Sequence, residues 1–306
     1  MSEPRQKPFR VPAFIRVLRP AQWVKNGVVA AAYVFARWDP SQAARTTGFR
    51  ALADMAFAVA AFCLVSGAVY VMNDLKDVAA DRRHPVKRLR PIASGELSPG
   101  PARALCALCL ALAGVFSFFL PLSFGALLGG YAAMQVAYTF FLKRVSYVDV
   151  FVISIGFVMR AAAGALALTV RISPWLLLCT FLLSLFLALC KRRHEKVLLE
   201  DAADGHRAAL AGYDPKLLDL QIGVTASATL VCYAIYTLSS ETVARFHTSR
   251  LGLTIPFVVF GLFRYLELVY RHDAGGRPEK VLLTDIVMIC TVLSYLGAVV
   301  LIFATL

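Results

Sequence analysis

The sequence predicts an all-α, polytopic membrane bundle of about nine transmembrane helices with a cytoplasmic N-terminus, and three observations carry that expectation. Hydrophobic residues make up 59% of the chain, against roughly 45–50% in soluble domains, and the mean hydropathy is +0.67. Apolar stretches of about the 20 residues that span a bilayer recur from end to end. Basic residues are concentrated in alternate connections, as the positive-inside rule requires of a multi-pass protein.

The apolar stretches fall at 26–37 (short), 51–72, 102–120, 122–142, 146–169, 173–190, 217–239, 251–270 and 282–305. With the N-terminus inside, the cytoplasmic connections hold Arg5 to Lys25, Lys76 to Arg103, Lys143 with Arg144, Lys191 to Lys216 and Arg271 to Lys280. The other side receives only Arg37, Arg45, Arg50, Arg171, Arg245 and Arg250. Residues 1–306 read as one transmembrane domain, with 1–12 a flexible tail and 73–100 and 191–216 cytoplasmic loops that carry the chemistry. The N-terminal residues are polar and Pro-rich, without the short apolar core of a cleavable signal.

The net charge of +13 sits in short loops beside acids, which points to phosphorylated small molecules or anionic lipids as partners and away from nucleic acid. All seven cysteines lie in apolar spans. Cys106 and Cys109 therefore read as small packing residues despite their C-x-x-C spacing.

Taken in order, FIRVLRPAQWVKN (Phe14 to Asn26) reads as an interfacial segment leading into the first span, with Trp23 at headgroup depth and Arg16, Arg19 and Lys25 facing water or phosphate. Anchoring explains the aromatic and the cations. Gln22, Lys25 and Asn26, polar at consecutive-turn spacing, are more than an anchor needs and become candidate binding residues.

The second span runs directly into NDLKDVAADRRHPVKRLRP, Asn73 to Pro91. If its helix continues, Asn73, Asp77 and Asp81 recur every fourth residue on one face, with Asp74 one step round. Such a set of hard oxygen ligands suits Mg²⁺, which is usually shared between one or two carboxylates and substrate phosphates. A solvated helix end is the plain alternative, but unrelieved like charges at that spacing repel. Arg82, Arg83, His84, Lys87, Arg88 and Arg90 follow at once. Topology alone places bases there, and a polyphosphate gripped jointly by metal and bases would also use them.

Ser94-Gly95 and Ser98-Pro99-Gly100 form the turn into the third span, and Pro121 joins the third and fourth as antiparallel neighbours. Tyr131, Gln135 and Tyr138 share a face of the fourth span that lipid would not tolerate. The fifth span buries Asp149 near its start and Arg160 about three turns deeper. An intramembrane arginine costs about 2.5–3.5 kcal/mol on insertion scales, so it pairs with a carboxylate or faces a wet cavity; both readings stay open. Gly156 and Gly164 leave room for a close neighbour.

The sixth span ends in Lys191, Arg192, Arg193, His194, Glu195 and Lys196, followed by Glu200, Asp201, Asp204, Arg207, Tyr213, Asp214 and Asp219. In the eighth span Arg264 and Glu267 have pairing distance. Asp285 reads as a helix-start acid of the ninth.

Two charged loops, after the second and sixth spans of such a chain, resemble the UbiA superfamily of intramembrane prenyltransferases. Its first aspartate motif, N-D-x-x-D-x-x-x-D, is matched by Asn73, Asp74, Asp77 and Asp81. RPAQWVKN (Arg19 to Asn26), the stretch Asn73 to Gly95, the run Asp149 to Ala165, and KRRHE with Arg207 and Tyr213 downstream are similar to the branch that transfers phosphoribosyl groups to decaprenyl phosphate. The chain departs from the aromatic prenyltransferases of the superfamily, which carry a second D-x-x-x-D motif in the later loop; none occurs between Lys191 and Tyr213.

The resemblance implies Mg²⁺-dependent transfer from phosphoribosyl pyrophosphate to a polyprenyl phosphate in a bacterial inner membrane, within arabinan-donor synthesis, with the active site facing the cytoplasm. Bases replacing a second acidic motif suit a donor that carries a separate 5-phosphate. Asn73, Asp77 and Asp81 would hold the metal, and Asp77, Asp81, Lys87 and Arg90 would serve catalysis. Gln22, Lys25, Asn26, Asp74, His84, Arg88, Arg160, Lys191, Arg192 and Tyr213 would bind substrate. The alternatives are an aromatic prenyltransferase using a polyprenyl diphosphate, and a non-catalytic lipid or ion carrier. A homo-oligomer is compatible with the sequence.

Overall fold

The computed structural model of the protein describes residues 11–200, 212–272, 274–276 and 278–305. Most of the expected tail, and Asp201, Asp204 and Arg207 of the second charged loop, lie outside the described residues, as does the Glu200 side chain. The described residues form thirteen α-helices joined by turns and 3₁₀ segments, without a strand. They are α1 (Ala13–Arg16), α2 (Ala31–Arg37), α3 (Gly48–Lys76), α4 (Val78–Arg83), α5 (Pro99–Phe118), α6 (Leu122–Phe140) and α7 (Val148–Leu168). The chain continues through α8 (Pro174–Glu200), α9 (Pro215–Leu238), α10 (Ser240–Phe246), α11 (Ile255–Arg271), α12 (Pro278–Thr284) and α13 (Ile286–Ala304).

Seven helices among the described residues are long and apolar enough to cross a membrane: α3, α5, α7, α8, α9, α11 with the 3₁₀ turn before it, and α13. The protein is thus an all-helical, multi-pass membrane protein. Nine spans were expected, and the two remaining stretches explain the difference. The first is a 3₁₀ segment, Pro20–Ala30, followed by the short α2. The fourth, α6, is a 19-residue helix in which Gly129, Gly130, Tyr131, Gln135 and Thr139 dilute the apolar run.

The second departure concerns α8, which runs through Lys191 and Arg192 to Glu200 where a loop was expected to begin at 191. Hydropathy ends at the charges, but Lys, Arg, Glu and Leu are all good helix formers. A contact between Arg192 and Glu195, one turn apart, supports the helix there. Helix starts follow ordinary capping chemistry: the Asp214 carboxylate accepts from Leu217 N at 2.9 Å, and that of Asp285 from Met288 N at 2.8 Å. Asp285 is also paired with Arg264 at 2.8 Å, which holds its carboxyl below the usual carboxylate range. Arg264 meets Glu267 as expected, at 2.8 Å.

Two apolar clusters hold the bundle. One joins α2, α3, α6 and α7 through Phe62, Phe124 and Tyr131, with Phe62 against both other rings. The other joins α7, α8, α9 and α11 through Val150, Phe186, Ile222 and Tyr265. The 3₁₀ segment packs against α3 and α7, and the approach to α7 depends on Gly164: a Cβ there would stand 1.8 Å from the Val29 carbonyl oxygen. Gly164→Ala is therefore expected to destabilise the protein by about 1–3 kcal/mol, the usual cost of overpacking. A thermal denaturation series in detergent checks this, with Gly223→Ala, where no heavy atom lies within 4 Å of the added Cβ, as the control.

Candidate functional site: an acidic helix end held by protein cations

The acidic stretch sits where α3 stops. Lys76 ends the helix, Asp77 adopts φ −94°, ψ 9°, and α4 resumes at Val78. Hydrogen bonds from Asp77 N to Asn73 O (2.9 Å) and from Asp81 N to Asp77 O (2.8 Å) preserve the fourfold register across the break. The side chains do not all share one face, however: at 3.6 residues per turn Asp81 falls within about 20° of Asp74, seven residues before it, and about 80° round from Asn73.

They form two groups instead. Lys143 Nζ, from the 3₁₀ turn Leu142–Arg144 after α6, lies 3.0 Å from Asn73 Oδ1 and 2.7 Å from Asp77 Oδ2. Arg90 Nη1 lies 2.6 Å from Asp81 Oδ2 and 3.2 Å from Asp74 Oδ1. Arg19 also donates to Asp74 Oδ1. In place of one row of Asn73, Asp77 and Asp81, the structure has an outer pair, Asn73 with Asp77, and an inner pair, Asp74 with Asp81. Among the described residues no three His, Cys, Asp or Glu side chains converge as metal ligands.

The donor set still fits a divalent ion. Each oxygen pair already faces one shared cationic nitrogen, so both of its members point toward a common positive charge. Asp74 Oδ2 is buried with no hydrogen-bond partner, an arrangement that costs about 1–3 kcal/mol unless something completes it. The two pairs differ in accessibility. Asp74 and Asp81 are 2% and 3% exposed, whereas the Asp77 side chain is 31% exposed and its ion pair with Lys143 is half-buried. Lys143 holds this pair as a point charge on a flexible stem, so an incoming cation can take its place against Asn73 and Asp77.

Arg19 and Lys143 were missed as site residues by sequence reasoning, which read the first as a surface cation and the second as a topology signal. Arg19 has φ 52° and ψ 61° immediately before Pro20, a left-handed conformation that costs a non-glycine residue roughly 1–2 kcal/mol. Its side chain reaches Asp74 and lies over the Tyr70 ring, 4.9 Å from the centroid. Only the three-dimensional path of the chain brings residues 19, 90 and 143 onto one helix end.

Deeper in the bundle, Arg160 is 8% exposed. Its Nε donates to Asn26 Oδ1 (2.9 Å), Nη1 to the Gly156 carbonyl (2.9 Å) and Nη2 to the Tyr131 hydroxyl (2.5 Å). The guanidinium also packs over the rings of Tyr131 and Phe157. All of these partners are neutral. No carboxylate among the described residues lies within ion-pairing distance of Arg160, so the carboxylate-pair alternative does not hold. Three of its N–H groups are used and a guanidinium has five. Asn26 fixes the level of the group, since its Nδ2 approaches Cys63 Sγ at 3.3 Å and its Oδ1 lies 3.5 Å from Ser66 Oγ. Asp74 stands eight residues further along α3, about 12 Å away along the axis.

The other expected binding residues divide. Lys25 is half-buried and donates to Gln22 Oε1 at 2.6 Å, so both stand on the 3₁₀ segment that also carries Asn26. Lys87 and Arg88 are exposed on the turn Lys87–Leu89. Lys191 is half-buried on α8.

Arg192 and Tyr213, expected to bind substrate, meet in a buried tie to Asp149. Arg192 Nε lies 2.7 Å from Asp149 Oδ2, and the Tyr213 hydroxyl donates to Asp149 Oδ1 at 2.6 Å. Asp149 is 0%, Arg192 1% and Tyr213 2% exposed. An aspartate so deeply buried on α7 requires a cation and a donor, and supplying them occupies both residues. Burial and the Asp149 hydrogen bond push the Tyr213 hydroxyl pKa upward, so it stays protonated as a donor.

His84 is corrected in its charge state. Its Nδ1 accepts from Val86 N (3.1 Å) and Lys87 N (3.3 Å). Burial, then nearby Lys87, lowers its pKa, with Asp81 acting in the opposite direction. The imidazole is neutral near pH 7 and offers only an Nε2–H donor, not the positive charge expected of it.

The UbiA prenyltransferase family model matches residues 32–286. The decaprenyl-phosphate phosphoribosyltransferase of Corynebacterium glutamicum is 35% identical over 290 residues, 94% of this chain and 85% of its own. The enzyme of the same description from Mycolicibacterium smegmatis is 34% identical over 303 residues, 94% of this chain and 92% of its own. The fold is also that of a UbiA homolog from Archaeoglobus fulgidus bound to DMAPP and Mg²⁺, with a TM-score of 0.70 at 16% identity over 96% of this chain and 100% of that one.

Proposed function

Because the chain belongs to the UbiA prenyltransferase family, we propose that it transfers a 5-phosphoribosyl group from phosphoribosyl pyrophosphate to a polyprenyl phosphate, with Mg²⁺, at the cytoplasmic face of a bacterial inner membrane. The observation that carries this reading is the contact of Asn73, Asp74, Asp77 and Asp81 with three protein cations, Arg19, Arg90 and Lys143. The activity named for the bacterial relatives, matched over nearly the whole chain, supports it.

Asn73 and Asp77 would hold the metal once Lys143 swings away, with the orphaned Asp74 oxygen and Asp81 available on the inner side. Bound there, the ion would neutralise part of the charge that builds on the departing pyrophosphate. Arg90, poised between Asp74 and Asp81, and the exposed Lys87 stabilise that same charge from the protein side. The lipid phosphate is the nucleophile and is already ionised near neutrality, its second pKa being roughly 6, so no general base is needed. Its oxygen forms a bond to C1 of the ribose as the C1–oxygen bond to pyrophosphate breaks. Arg160, an uncompensated buried cation with spare donors, receives an anionic group that lies away from the metal: the donor 5-phosphate or the phosphate of the lipid. The polyprenyl chain leaves between helices into the bilayer.

The test is pyrophosphate release by purified protein. Phosphoribosyl pyrophosphate with a polyprenyl phosphate and Mg²⁺ is expected to support it. A polyprenyl diphosphate with 4-hydroxybenzoate is not, and turnover of that pair instead would establish the aromatic prenyltransferase reading. Binding of either lipid without turnover would point to a carrier.

The pH dependence follows from the groups in place. His84 is neutral above its lowered pKa, so it contributes no ionisation between about pH 6.5 and 8. The acid limb of the rate is expected near pH 6, where the lipid phosphate takes up a proton, and His84→Gln should leave it unmoved. A limb that disappears in His84→Gln would make His84 the titrating group.

A further inference from the structure

The end of the bundle opposite the acidic stretch carries a cavity of about 580 Å³. It opens between the start of α3, the α5–α6 turn and the end of α7. Arg50 stands 23 residues before Asn73 on α3, about 35 Å away at 1.5 Å per residue, so the phosphate groups of a substrate held at the acidic site do not reach it. We propose that this cavity binds the headgroup of an anionic phospholipid from the leaflet at that end, with the phosphate between Arg45 and Arg50 and an acyl chain leaving over Phe119.

Its charged side consists of Arg45, Arg50 and Asp54, a net charge of +1. That balance suits the single charge of a phosphodiester and is poor for a polyphosphate. Neither guanidinium is committed. Arg45 donates from one Nη to the Thr169 carbonyl and keeps its other donors. Arg50 is 3.9 Å from Asp54 Oδ2, at the edge of an ion pair, with its side chain 88% exposed. Arginine pairs of this kind favour phosphate oxygens because the planar fork donates two bonds at once.

The other wall is apolar, with Leu120 and Leu168 at its base, both buried, and Phe119 at its lip. From the lip, Phe118 (87% exposed) and Leu122 (89%) continue onto the bundle surface, where in a membrane protein they meet lipid chains. One polar and one apolar wall match an amphiphile at headgroup depth. A free phosphate ion has no use for the second wall, and a volume in the range of about 300–1,000 Å³ typical of organic ligand sites exceeds what that ion needs.

The test uses the full chain in neutral detergent, titrated with phosphatidylglycerol, phosphatidylcholine or inorganic phosphate and read by native mass spectrometry. One phosphatidylglycerol per chain is expected to be retained, phosphatidylcholine at least 10-fold more weakly. Two variants probe the site separately: Arg50→Gln removes a phosphate donor, and Thr47→Trp fills the cavity from an exposed position. Each should weaken phosphatidylglycerol binding at least 10-fold while pyrophosphate release at the distant site is unchanged. Undiminished phosphatidylglycerol binding in either variant, or equal binding of phosphatidylcholine, would overturn the proposal. Displacement of phosphatidylglycerol by millimolar inorganic phosphate would also overturn it, because the site would then take the free ion.

Discussion

Asp77→Asn is expected to lower the rate of pyrophosphate release about 100-fold or more, the scale on which single groups that stabilise transition-state charge act. Asp77 is the accessible carboxylate of the acidic stretch, with Asn73 beside it and Lys143 as its present partner. The substitution keeps the shape and removes the charge. Lys143 then loses its ion pair, and the outer site no longer attracts a cation. The amide oxygen can still accept from Lys143, so the fold should hold, and a near-parent melting temperature with lost turnover separates chemistry from stability. A loss of less than about 5-fold at saturating Mg²⁺ would remove Asp77 from the site.

Arg160→Gln is the second large effect. Truncating one partner of a buried, charge-assisted contact costs about 2–5 kcal/mol, so kcat/KM should fall roughly 30-fold to several thousand-fold at 1.4 kcal/mol per factor of ten. The fall should appear as a raised KM for one substrate, the one whose phosphate Arg160 holds. Glutamine retains a donor for Asn26, and a neutral side chain removes the cost of a buried charge, so the variant should fold at least as well as the parent. Arg160→Lys should not rescue turnover, because an ammonium cannot bond Asn26, Gly156 and Tyr131 and still present a fork to an anion. Equal KM values for both substrates in Arg160→Gln would show a group that only holds helices together.

Much of the bundle was legible because hydropathy and helix length are coupled in a bilayer. The long spans follow the apolar stretches within a few residues, and the acidic motif lies at the end of the second. What hydropathy could not convey was backbone geometry past the membrane edge. α8 continues for ten residues after Cys190 because charged side chains are good helix formers even where apolarity ends. The first apolar stretch begins in a 3₁₀ segment and becomes α-helical only at Ala31, with Val29 held in tight approach to Gly164, and a contact between residues 135 positions apart leaves no local sequence signal.

The site shows the same division. The fourfold spacing of Asn73, Asp77 and Asp81 located the acids but not their grouping, since each step of four residues drifts by about 40° and carries Asp81 round to Asp74. Arg160 was recognisable as exceptional from depth alone, and its surroundings of Asn26, Tyr131 and a backbone carbonyl were not. A charged loop suggested a ligand for Arg192 and Tyr213, and it gave no sign that both also satisfy the fully buried Asp149. Arg19 and Lys143 could be found only from the fold, as they enter from segments remote in sequence.

The most direct test of the account is electron paramagnetic resonance of Mn²⁺ on the purified protein with phosphoribosyl pyrophosphate. The account predicts one tightly bound ion per chain whose spectrum shows coupling to donor phosphorus, and loss of that ion in Asp77→Asn. Mn²⁺ bound equally well by parent and variant, without phosphorus coupling, would contradict it.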